Sequence, residues 1–193
     1  MPATTLDPNT ALILIDLQKG ILDRPTVHPV DGILTNAATL ARAFRRLRLP
    51  VVLVHVAGAA PGRTEQGPGG GRFPADWLEL APELEAAPED LRVTKHRWGA
   101  FTETGLEARL RDRGITQVVI AGVATSIGVE STARQAHELG FNVTLALDAM
   151  TDRDPDAHDN SVTRIFPRLG ETGTTAQLLA LLSQHSLPQG RRA

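Results

Sequence analysis

Apolar residues along the chain fall into short continuous runs, separated by segments with helical periodicity. Three runs, at 11–16, 51–56 and 118–122, consist mainly of aliphatic and β-branched residues. The segments 91–95 and 142–148 are shorter or more mixed candidates for strands. Continuous apolar runs of this length, rather than alternating ones, are typical of a parallel sheet with both faces covered. The pattern therefore predicts buried parallel strands.

The segments between these runs have the spacing of amphipathic helices. Between the first two strands, six apolar residues share one face of a predicted helix: Leu34, Ala37, Leu40, Ala41, Phe44 and Leu47. Two further helical patterns end at Gly114 and Gly140, and glycine is common just after the last turn of a helix. Alternating strands and helices imply right-handed crossovers. We expect a Rossmann-like α/β fold, with three α/β/α layers around a doubly wound, mostly parallel sheet.

Composition narrows the functional classes. The 20 basic and 22 acidic residues give a net charge of −2 without a long basic run, which argues against nucleic acid or an anionic membrane as partner. The absence of cysteine excludes a disulfide framework, a thiolate metal site and a catalytic thiol. The N-terminus does not resemble a signal peptide, and no apolar run could span a bilayer. We expect a soluble cytoplasmic protein with a single domain over residues 1–193, a core at about 8–182 and a disordered tail at 186–193.

Charged residues follow the predicted strands at the edge where doubly wound folds bind ligands, beyond the carboxyl ends of the strands. Asp16 and Lys95 each end a buried strand, the turn at 122–128 follows another, and Asp148 ends the last. A nearby ammonium favours the ionised carboxylate, whereas desolvation favours the neutral acid. The pattern therefore leaves open whether Asp16 is a base, an acid, or only a strand-end cap.

The turn at 122–128 offers a third element of a site. A helix that begins near Ile127 would present unpaired backbone N–H groups and the positive end of its dipole, which together can hold an anion or a developing oxyanion. Alternatively, Gly122 and Gly128 serve only to make a tight turn. Ser126 is a weaker candidate nucleophile, because a catalytic serine needs a well-placed base.

Three other features have a structural interpretation beside a functional one. The Gly- and Pro-rich segment 58–74 follows a strand and is either a mobile lid or a plain surface loop. His55 also follows a strand, but it is better interpreted as a buried or edge histidine than as a metal ligand. His158 belongs to a predicted helix start, where Asp154 and Pro155 supply the cap and the first turn.

Three motifs, in order and at domain-scale spacing, resemble those of the isochorismatase-like hydrolase superfamily. They are ALILIDLQKGI, VTKHRWGAF and VVIAGVATSIGVESTARQAHELGFNVTLALDA, and the resemblance covers about residues 8–182. It implies that Asp16 and Lys95 are catalytic. It also implies a cis peptide between Val123 and Ala124, which turns the Ala124 amide toward the substrate.

The chain departs from the superfamily's usual pattern at Gly128, where most members have the nucleophilic cysteine. Isochorismatase itself is similar in carrying glycine there: its aspartate protonates the enol carbon of a vinyl ether, and water attacks the oxocarbenium ion. Isochorismatases place a tyrosine where this chain has Ala124, and their glutamine and arginine ligands have no clear counterpart, although Arg63 and Gln66 are nearby. The turn instead resembles a cysteine-less subgroup of short bacterial members.

This resemblance favours a hydrolase that acts on a small metabolite without a cysteine nucleophile, with Asp16 as general acid or base and vinyl ether hydrolysis as the favoured reaction. The alternatives are a degenerate member that only binds a small molecule and a C–N amide hydrolase that uses activated water. A Cβ at Gly128 should fit if the backbone there is helical. We expect a small-molecule substrate, a homo-oligomer, and no metal or cofactor.

The expected site has three parts. Asp16 and Lys95 are the catalytic residues, and the backbone of Ala124 and Gly128 binds an anion. The pocket residues are Gln18, Trp98, Phe101, Thr125 and Ser126. Trp98 and Phe101 are equally suited to the core or to a subunit interface, as large aromatic residues usually are.

Overall fold

Six β-strands form one sheet in the computed structural model, which describes residues 2–65, 67 and 73–185. The strands are β1 (Thr10–Ile15), β2 (Val51–Val56), β3 (Leu91–Lys95), β4 (Gln117–Val123), β5 (Asn142–Thr151) and β6 (Glu171–Gly173). They pair in the order β3-β2-β1-β4-β5-β6, and every pair is parallel. The predicted parallel sheet is therefore confirmed. The short strand β6 was not predicted, because its sequence Glu-Thr-Gly has no apolar run.

Helices cover both faces of the sheet. In the described part of the chain they are α1 (Lys19–Leu22), α2 (Val30–Arg46), α3 (Leu106–Arg111), α4 (Glu130–Glu138), α5 (Pro155–Asn160), α6 (Phe166–Leu169) and α7 (Thr175–Leu182). Short 3₁₀ segments span Ala75–Leu78 and Pro82–Leu84, and π-turns span Thr125–Val129 and Ser161–Ile165. Residues of α2 and α7 pack in one apolar core and residues of α3, α4 and α6 in the other. The three-layer α/β/α fold is confirmed.

The central strand β1 explains why its apolar run is continuous. All six of its residues are buried. Leu12 and Leu14 belong to the core under α2 and α7, whereas Ile13 and Ile15 belong to the core on the opposite face. Because successive side chains point to opposite faces, a strand between two helical layers is buried on both faces, and every residue of β1 after Thr10 is apolar. Burying each leucine or isoleucine side chain of this strand stabilises the fold by ~1.5–3 kcal/mol.

The order of the strands reverses where β1 and β4 lie side by side in the sheet. Strands β2 and β3 extend the sheet on one side of β1, and β4, β5 and β6 extend it on the other. Asp16 and Ala124 are the first residues after β1 and β4 and therefore lie at the carboxyl ends of the strands on either side of this switch point. Open α/β sheets bind ligands in the crevice at such a point.

Strand β5 runs three residues beyond the segment predicted from the sequence. A shift of register leaves Ile120 paired with Leu145 but Gly122 paired with Met150. The expectation that Asp148 ends the strand beside Asp16 is therefore wrong. Asp148 lies within β5, and its carboxylate accepts hydrogen bonds from the backbone N–H and the hydroxyl of Thr175 at the start of α7.

Two predicted segments lie partly or wholly outside the described residues. The described residues of the glycine-rich segment 58–74 that precede Ala75 form no helix or strand, and Gln66 and residues 68–72 are outside the description. The predicted disordered tail at 186–193 is outside it as well. Within residues 2–65, 67 and 73–185, no helix is long and apolar enough to cross a membrane.

Candidate active site

Two opposite charges meet at the carboxyl edge of the sheet. Lys95 Nζ lies 2.7 Å from Asp16 Oδ2 and also donates to the Arg97 carbonyl at 3.2 Å. Both charged residues are almost fully buried, Asp16 at 5% exposure and Lys95 at 2%. The prediction that these two strand ends converge is confirmed. An ion pair removed from water in this way costs desolvation energy, so its place in the fold calls for an explanation.

The backbone of Asp16 is held in an uncommon conformation. Its φ is 51°, in the left-handed region that aspartate adopts more readily than most residues with a Cβ. The Asp16 N–H donates to the Val54 carbonyl at 2.9 Å, so β2 fixes the position of the residue beyond the end of β1. Such conformations cost ~1–3 kcal/mol and cluster at functional sites.

The two oxygens of the Asp16 carboxyl group have different surroundings. Oδ1 is buried and accepts no hydrogen bond from the described residues, whereas Oδ2 is paired with Lys95. Burial raises the pKa of Asp16 to about 6, and the charge and hydrogen bond of Lys95 oppose this rise. A carboxyl group with this pKa populates both protonation states near neutral pH. Oδ1 is thus the oxygen that can exchange a proton with a ligand.

The turn after β4 contains the predicted cis peptide between Val123 and Ala124. The helix that follows begins at Thr125 instead of near Ile127, and its first turn is the π-turn that precedes α4. The Ala124 carbonyl accepts hydrogen bonds from the N–H groups of Ile127 and Val129. Those two amides are therefore engaged within the turn.

A carboxylate that sequence reasoning missed anchors the same turn. Asp152, the residue after β5, is buried and accepts a hydrogen bond at 2.7 Å from the Ser126 N–H. Its other oxygen accepts from the backbone N–H groups of Arg153 and Asp154. Asp152 thus engages the Ser126 N–H, so that amide is not available to bind an anion. The sequence did not predict this role of Asp152, because its pattern ends the strand at Asp148, whereas β5 ends at Thr151.

Gly128 faces the ion pair. A Cβ built on Gly128 would lie 3.3 Å from Asp16 Oδ2, 3.6 Å from Lys95 Nζ and 2.9 Å from Ile15 Cγ2. The last distance is too short for two carbon atoms, so the expectation that a Cβ fits without adjustment is wrong. The fully buried, β-branched side chain of Ile15 already occupies part of the space that a cysteine would need.

A histidine pair supports the turn from the other side. His158 lies in the predicted helix, α5, whose N-terminus is capped by Asp154. Its Nδ1 lies 2.9 Å from the hydroxyl of Thr125. Its ring centroid is 4.8 Å from that of His28. Thr125 is fully buried, so its hydroxyl is committed to His158. Periodicity predicted the helix of His158 but gave no signal for this contact, because the two residues are 33 positions apart.

Comparisons with known proteins identify the family. The family model described as "Isochorismatase domain" matches residues 10–177. The chain belongs to the isochorismatase family. The structure of an isochorismatase family protein from Burkholderia thailandensis superposes with a TM-score of 0.89 and 43% sequence identity, over 93% of this chain and 98% of that one.

Two curated relatives extend the comparison. The chain is 42% identical over 180 residues to the uncharacterized isochorismatase family protein YwoC of Bacillus subtilis, covering 88% of this chain and 92% of YwoC. It is 31% identical over 186 residues to a Bacillus subtilis protein named isochorismatase, covering 90% of this chain and 58% of that protein. The chain is therefore similar over about nine-tenths of its length to isochorismatase family members.

In this isochorismatase family protein, Gln18 fastens the backbone near the crevice. Its amide nitrogen donates to the carbonyls of Val56 and Trp77, and its amide oxygen accepts from the Val56 N–H at 2.7 Å. The side chain is fully buried. Gln18, expected to line the pocket, thus has its amide committed to joining α1, the end of β2 and the 3₁₀ segment Ala75–Leu78.

The two aromatic pocket candidates are placed differently. Trp98 is 61% exposed and lies three residues past Lys95; whether it contacts a second copy of the chain stays a prediction. The Phe101 ring stacks on Phe141 with centroids 5.9 Å apart, and its N–H donates to Gln135 on α4. Because Phe141 lies at the amino end of β5, the structure brings Phe101 to the core and not to the ion pair.

His55 is isolated from other metal-ligand side chains. Its Nε2 lies 2.8 Å from the Thr94 hydroxyl, its Nδ1 is buried without a partner among the described residues, and burial lowers its pKa, with the charge of Arg92 adding to the effect. In the described parts of the chain, no three or more His, Asp or Glu side chains are grouped so that they could hold a metal ion.

Proposed function

We propose that this isochorismatase family hydrolase cleaves a small metabolite without a covalent intermediate on a side chain, and that Asp16 acts as general acid on a vinyl ether. It would then belong to a cysteine-less group of the family, with Gly128 at the nucleophile position. The observation that carries the proposal is the Oδ1 atom of Asp16, a buried oxygen without a partner among the described residues, on a carboxyl group whose pKa is raised to about 6.

The absence of a side chain at Gly128 suits a reaction in which water is the nucleophile. The chain contains no cysteine, and the backbone at Gly128 faces Asp16 Oδ2 and Lys95 Nζ directly. A vinyl ether needs no side-chain nucleophile, because protonation of carbon alone creates a strong electrophile. The missing thiol is therefore compatible with turnover.

The reaction proceeds in three steps. Asp16 in its acid form donates the Oδ1 proton to the terminal carbon of the C=C bond. The π electrons of that bond form the new C–H bond, and the carbon bonded to the ether oxygen becomes an oxocarbenium ion. Water adds to that ion and loses a proton, which returns to Asp16. The resulting hemiketal collapses to a carbonyl compound and an alcohol. Lys95, at 2.7 Å from Oδ2, stabilises the carboxylate that exists between the first and second steps.

A C–N amide hydrolase that uses activated water is the second candidate. The same pKa of about 6 favours it, because most of Asp16 is ionised at pH 7 and can act as a base on water. The amides of Ala124 and Gly128 would then hold the oxyanion of the tetrahedral intermediate. The two candidates require opposite protonation states of Asp16.

A third candidate is a family member that binds a small molecule without turning it over. Such a protein would show saturable binding without product.

Activity assays on wild type and Asp16→Asn distinguish these proposals. A panel of vinyl ethers, including 2-ethoxyacrylate, and of primary amides is assayed for alcohol or ammonia release, with Arg46→Gln on the exposed side of α2 as the control. We expect vinyl ether hydrolysis that falls by a factor of roughly 10²–10⁴ in Asp16→Asn and is unchanged in the control. Hydrolysis that is insensitive to Asp16→Asn would exclude the proposed general acid.

A further inference from the structure

The shift of register in β5 decides which carboxylate reaches the turn after β4. If the pairing at the start of β4 continued without interruption, Val123 would lie opposite Asp148. Val123 pairs instead with Thr151, and Asp152 is the next residue of the chain. The irregular register therefore brings Asp152 to the turn, where its carboxylate accepts the Ser126 N–H.

The Asp152 carboxylate joins this turn to the segment that leads into α5. Oδ2 accepts from the Ser126 N–H at 2.7 Å, and Oδ1 accepts from the N–H groups of Arg153 at 2.7 Å and Asp154 at 3.4 Å. Asp152 is 3% exposed and, within the described residues, forms no salt bridge. A buried charge is costly unless hydrogen bonds compensate for the lost water. Both oxygens thus hold backbone groups, whereas a side-chain amide or hydroxyl offers only one acceptor atom.

The residues around Asp152 are themselves fixed to another part of the fold. The Val27 N–H donates to the Asp152 carbonyl at 2.8 Å, and the His28 N–H donates to the hydroxyl of Thr151 at 3.0 Å. Thr151 is fully buried at the end of β5. Asp152 is therefore held independently of the turn that its carboxylate restrains.

The restrained turn covers the Asp16 carboxyl group. Ser126 and Gly128 belong to the same π-turn, Thr125–Val129, and a Cβ built on Gly128 would lie 3.3 Å from Asp16 Oδ2. Gly128 and Asp16 are both buried. Burial is also the largest influence on the pKa of Asp16, which it raises to about 6. A displacement of the turn would admit water to the carboxyl group and remove part of this effect.

We propose that Asp152 is a positioning residue, which holds the π-turn against Asp16 and so keeps water away from the general acid. The inference rests on the proposed function in one respect, the role of Asp16 as that acid. In this role Asp152 acts through the Ser126 backbone and takes no part in the chemistry. The contact of His158 with the Thr125 hydroxyl, at 2.9 Å, is a second restraint on the same turn.

Titration of Asp16 in Asp152→Asn tests the proposal without an activity assay. The pKa of Asp16 is measured from its carboxyl ¹³C chemical shift, and the signal is assigned by its loss in Asp16→Asn. Asparagine has the shape of aspartate but a single acceptor oxygen, so it cannot hold both segments. We expect the pKa of Asp16 to fall from about 6 by roughly 1, toward the ordinary value of about 4. Burial and Lys95 account for the pKa of Asp16, so loss of the Asp152 charge should not by itself produce this fall.

Asp148→Asn is the matched control. The Asp148 carboxylate also holds the start of a helix, through the N–H and hydroxyl of Thr175, but it has no hydrogen bond to the turn among the described residues. This variant should lose stability and keep the pKa of Asp16. Asp152→Ala removes both acceptor oxygens and should lower the pKa of Asp16 at least as far as Asp152→Asn does.

The pH dependence of activity is a second readout. If Asp16 is the general acid, the descending limb of kcat/KM for 2-ethoxyacrylate in Asp152→Asn should move to lower pH together with the pKa measured by NMR. A pKa lower by roughly 1 leaves about tenfold less of the acid form at pH 7, so kcat/KM at that pH should fall about tenfold.

The outcomes separate the two proposals. An Asp16 pKa that is unchanged in both Asp152 variants, or that falls equally in Asp148→Asn, would overturn the positioning role. So would failure of both Asp152 variants to fold while Asp148→Asn folds, since Asp152 would then serve the fold as a whole. If the pKa falls as expected but vinyl ether hydrolysis by the wild type does not need Asp16, the positioning role stands and the proposed function fails.

Discussion

Asp16 and Lys95 form an ion pair of 2.7 Å in which both residues are almost fully buried, yet one oxygen of Asp16 has no hydrogen-bond partner in the part of the chain that the structure describes. Desolvation of two charges costs several kcal/mol, and the attraction between them repays this only when the remaining polar atoms are also satisfied. The unpaired Oδ1 shows that they are not. The pair is therefore better explained by the chemistry it can perform than by stability.

Replacing both Asp16 and Lys95 should lower the free energy of unfolding less than replacing Asp16 alone. Asp16→Leu leaves the Lys95 ammonium buried without its counterion and should lower the free energy of unfolding by ~3 kcal/mol. In the double variant Asp16→Leu, Lys95→Met no charge is left in the apolar site, and we expect stability within ~1 kcal/mol of wild type. Urea denaturation at pH 7 measures all three proteins. Additive losses in the double variant would contradict this account.

The activity on a vinyl ether should decrease as pH rises through about 6. A general acid must be protonated in the free enzyme, and Asp16 loses its proton near that pH. We expect kcat/KM for 2-ethoxyacrylate to be level well below pH 6 and to fall roughly tenfold per unit above it. If Asp16 acts as a base on water instead, the same plot rises through pH 6, so the sign of the slope decides between the two proposed reactions.

Removing Lys95 should move this pH dependence upward. The charge and hydrogen bond of Lys95 lower the pKa of Asp16, so Lys95→Met leaves only the effect of burial, which raises it. The descending limb of kcat/KM should then appear above pH 6. An unchanged limb would show that a different group titrates. The exposed-arginine variant Arg46→Gln, which leaves the site untouched, provides the reference profile.

His158 should make the folded state sensitive to mild acid. Burial lowers the pKa of His158, the charge of His28 adds to this effect, and Asp159 and Asp152 oppose it. In the unfolded chain the imidazole takes up a proton near pH 6.5, whereas the folded protein resists protonation. Stability from this residue is thus present above pH 6.5 and is lost as pH falls below it.

The matched variant is His158→Asn, whose amide can reach the Thr125 hydroxyl from nearly the same position as Nδ1 but does not titrate. Between pH 7.5 and 5.5, the wild type should lose stability relative to this variant, as measured by urea midpoints. Parallel pH dependence of the two proteins would show that His158 titrates alike in the folded and unfolded states.

Strand positions and the convergence of Asp16 with Lys95 could be predicted because both depend on local patterns. A continuous apolar run reports burial on two faces, and the topology of a doubly wound sheet brings strand ends to one edge. Asp152 and His158 could not be found in this way. Their roles depend on a shift of register in β5 and on contacts between residues far apart in sequence.

Gln18 and Phe101 show that a residue near a catalytic candidate in the sequence can make its contacts elsewhere. Both stand in motifs beside the catalytic candidates, and nearness in sequence predicted a place in the pocket. The structure commits the Gln18 amide to backbone groups and stacks Phe101 on Phe141, because a residue next to a strand end can point along the sheet as well as into the crevice. Spacing along the chain does not determine that direction.

Introducing a thiol at Gly128 tests whether the crevice keeps the geometry of a cysteine hydrolase. A Cβ there meets Ile15 Cγ2 at 2.9 Å, so Gly128→Cys should fold with a loss of ~1–3 kcal/mol, the usual cost of overpacking a core. The thiol would lie in the first helical turn, with Lys95 Nζ 3.6 Å from the cysteine Cβ. The positive end of the helix dipole and the charge of Lys95 both favour the thiolate.

We therefore expect Gly128→Cys to react with iodoacetamide at mildly acidic pH, faster than Thr35→Cys on the exposed face of α2. Asp16 Oδ2 lies 3.3 Å from the same Cβ, and its charge opposes thiolate formation. The rate should consequently increase further in the double variant with Asp16→Asn. Vinyl ether hydrolysis should fall at the same time, because the added side chain occupies space beside the general acid. A folded Gly128→Cys protein whose thiol reacts no faster than the surface control would show that Ile15 and Asp16 have closed this position to nucleophilic chemistry.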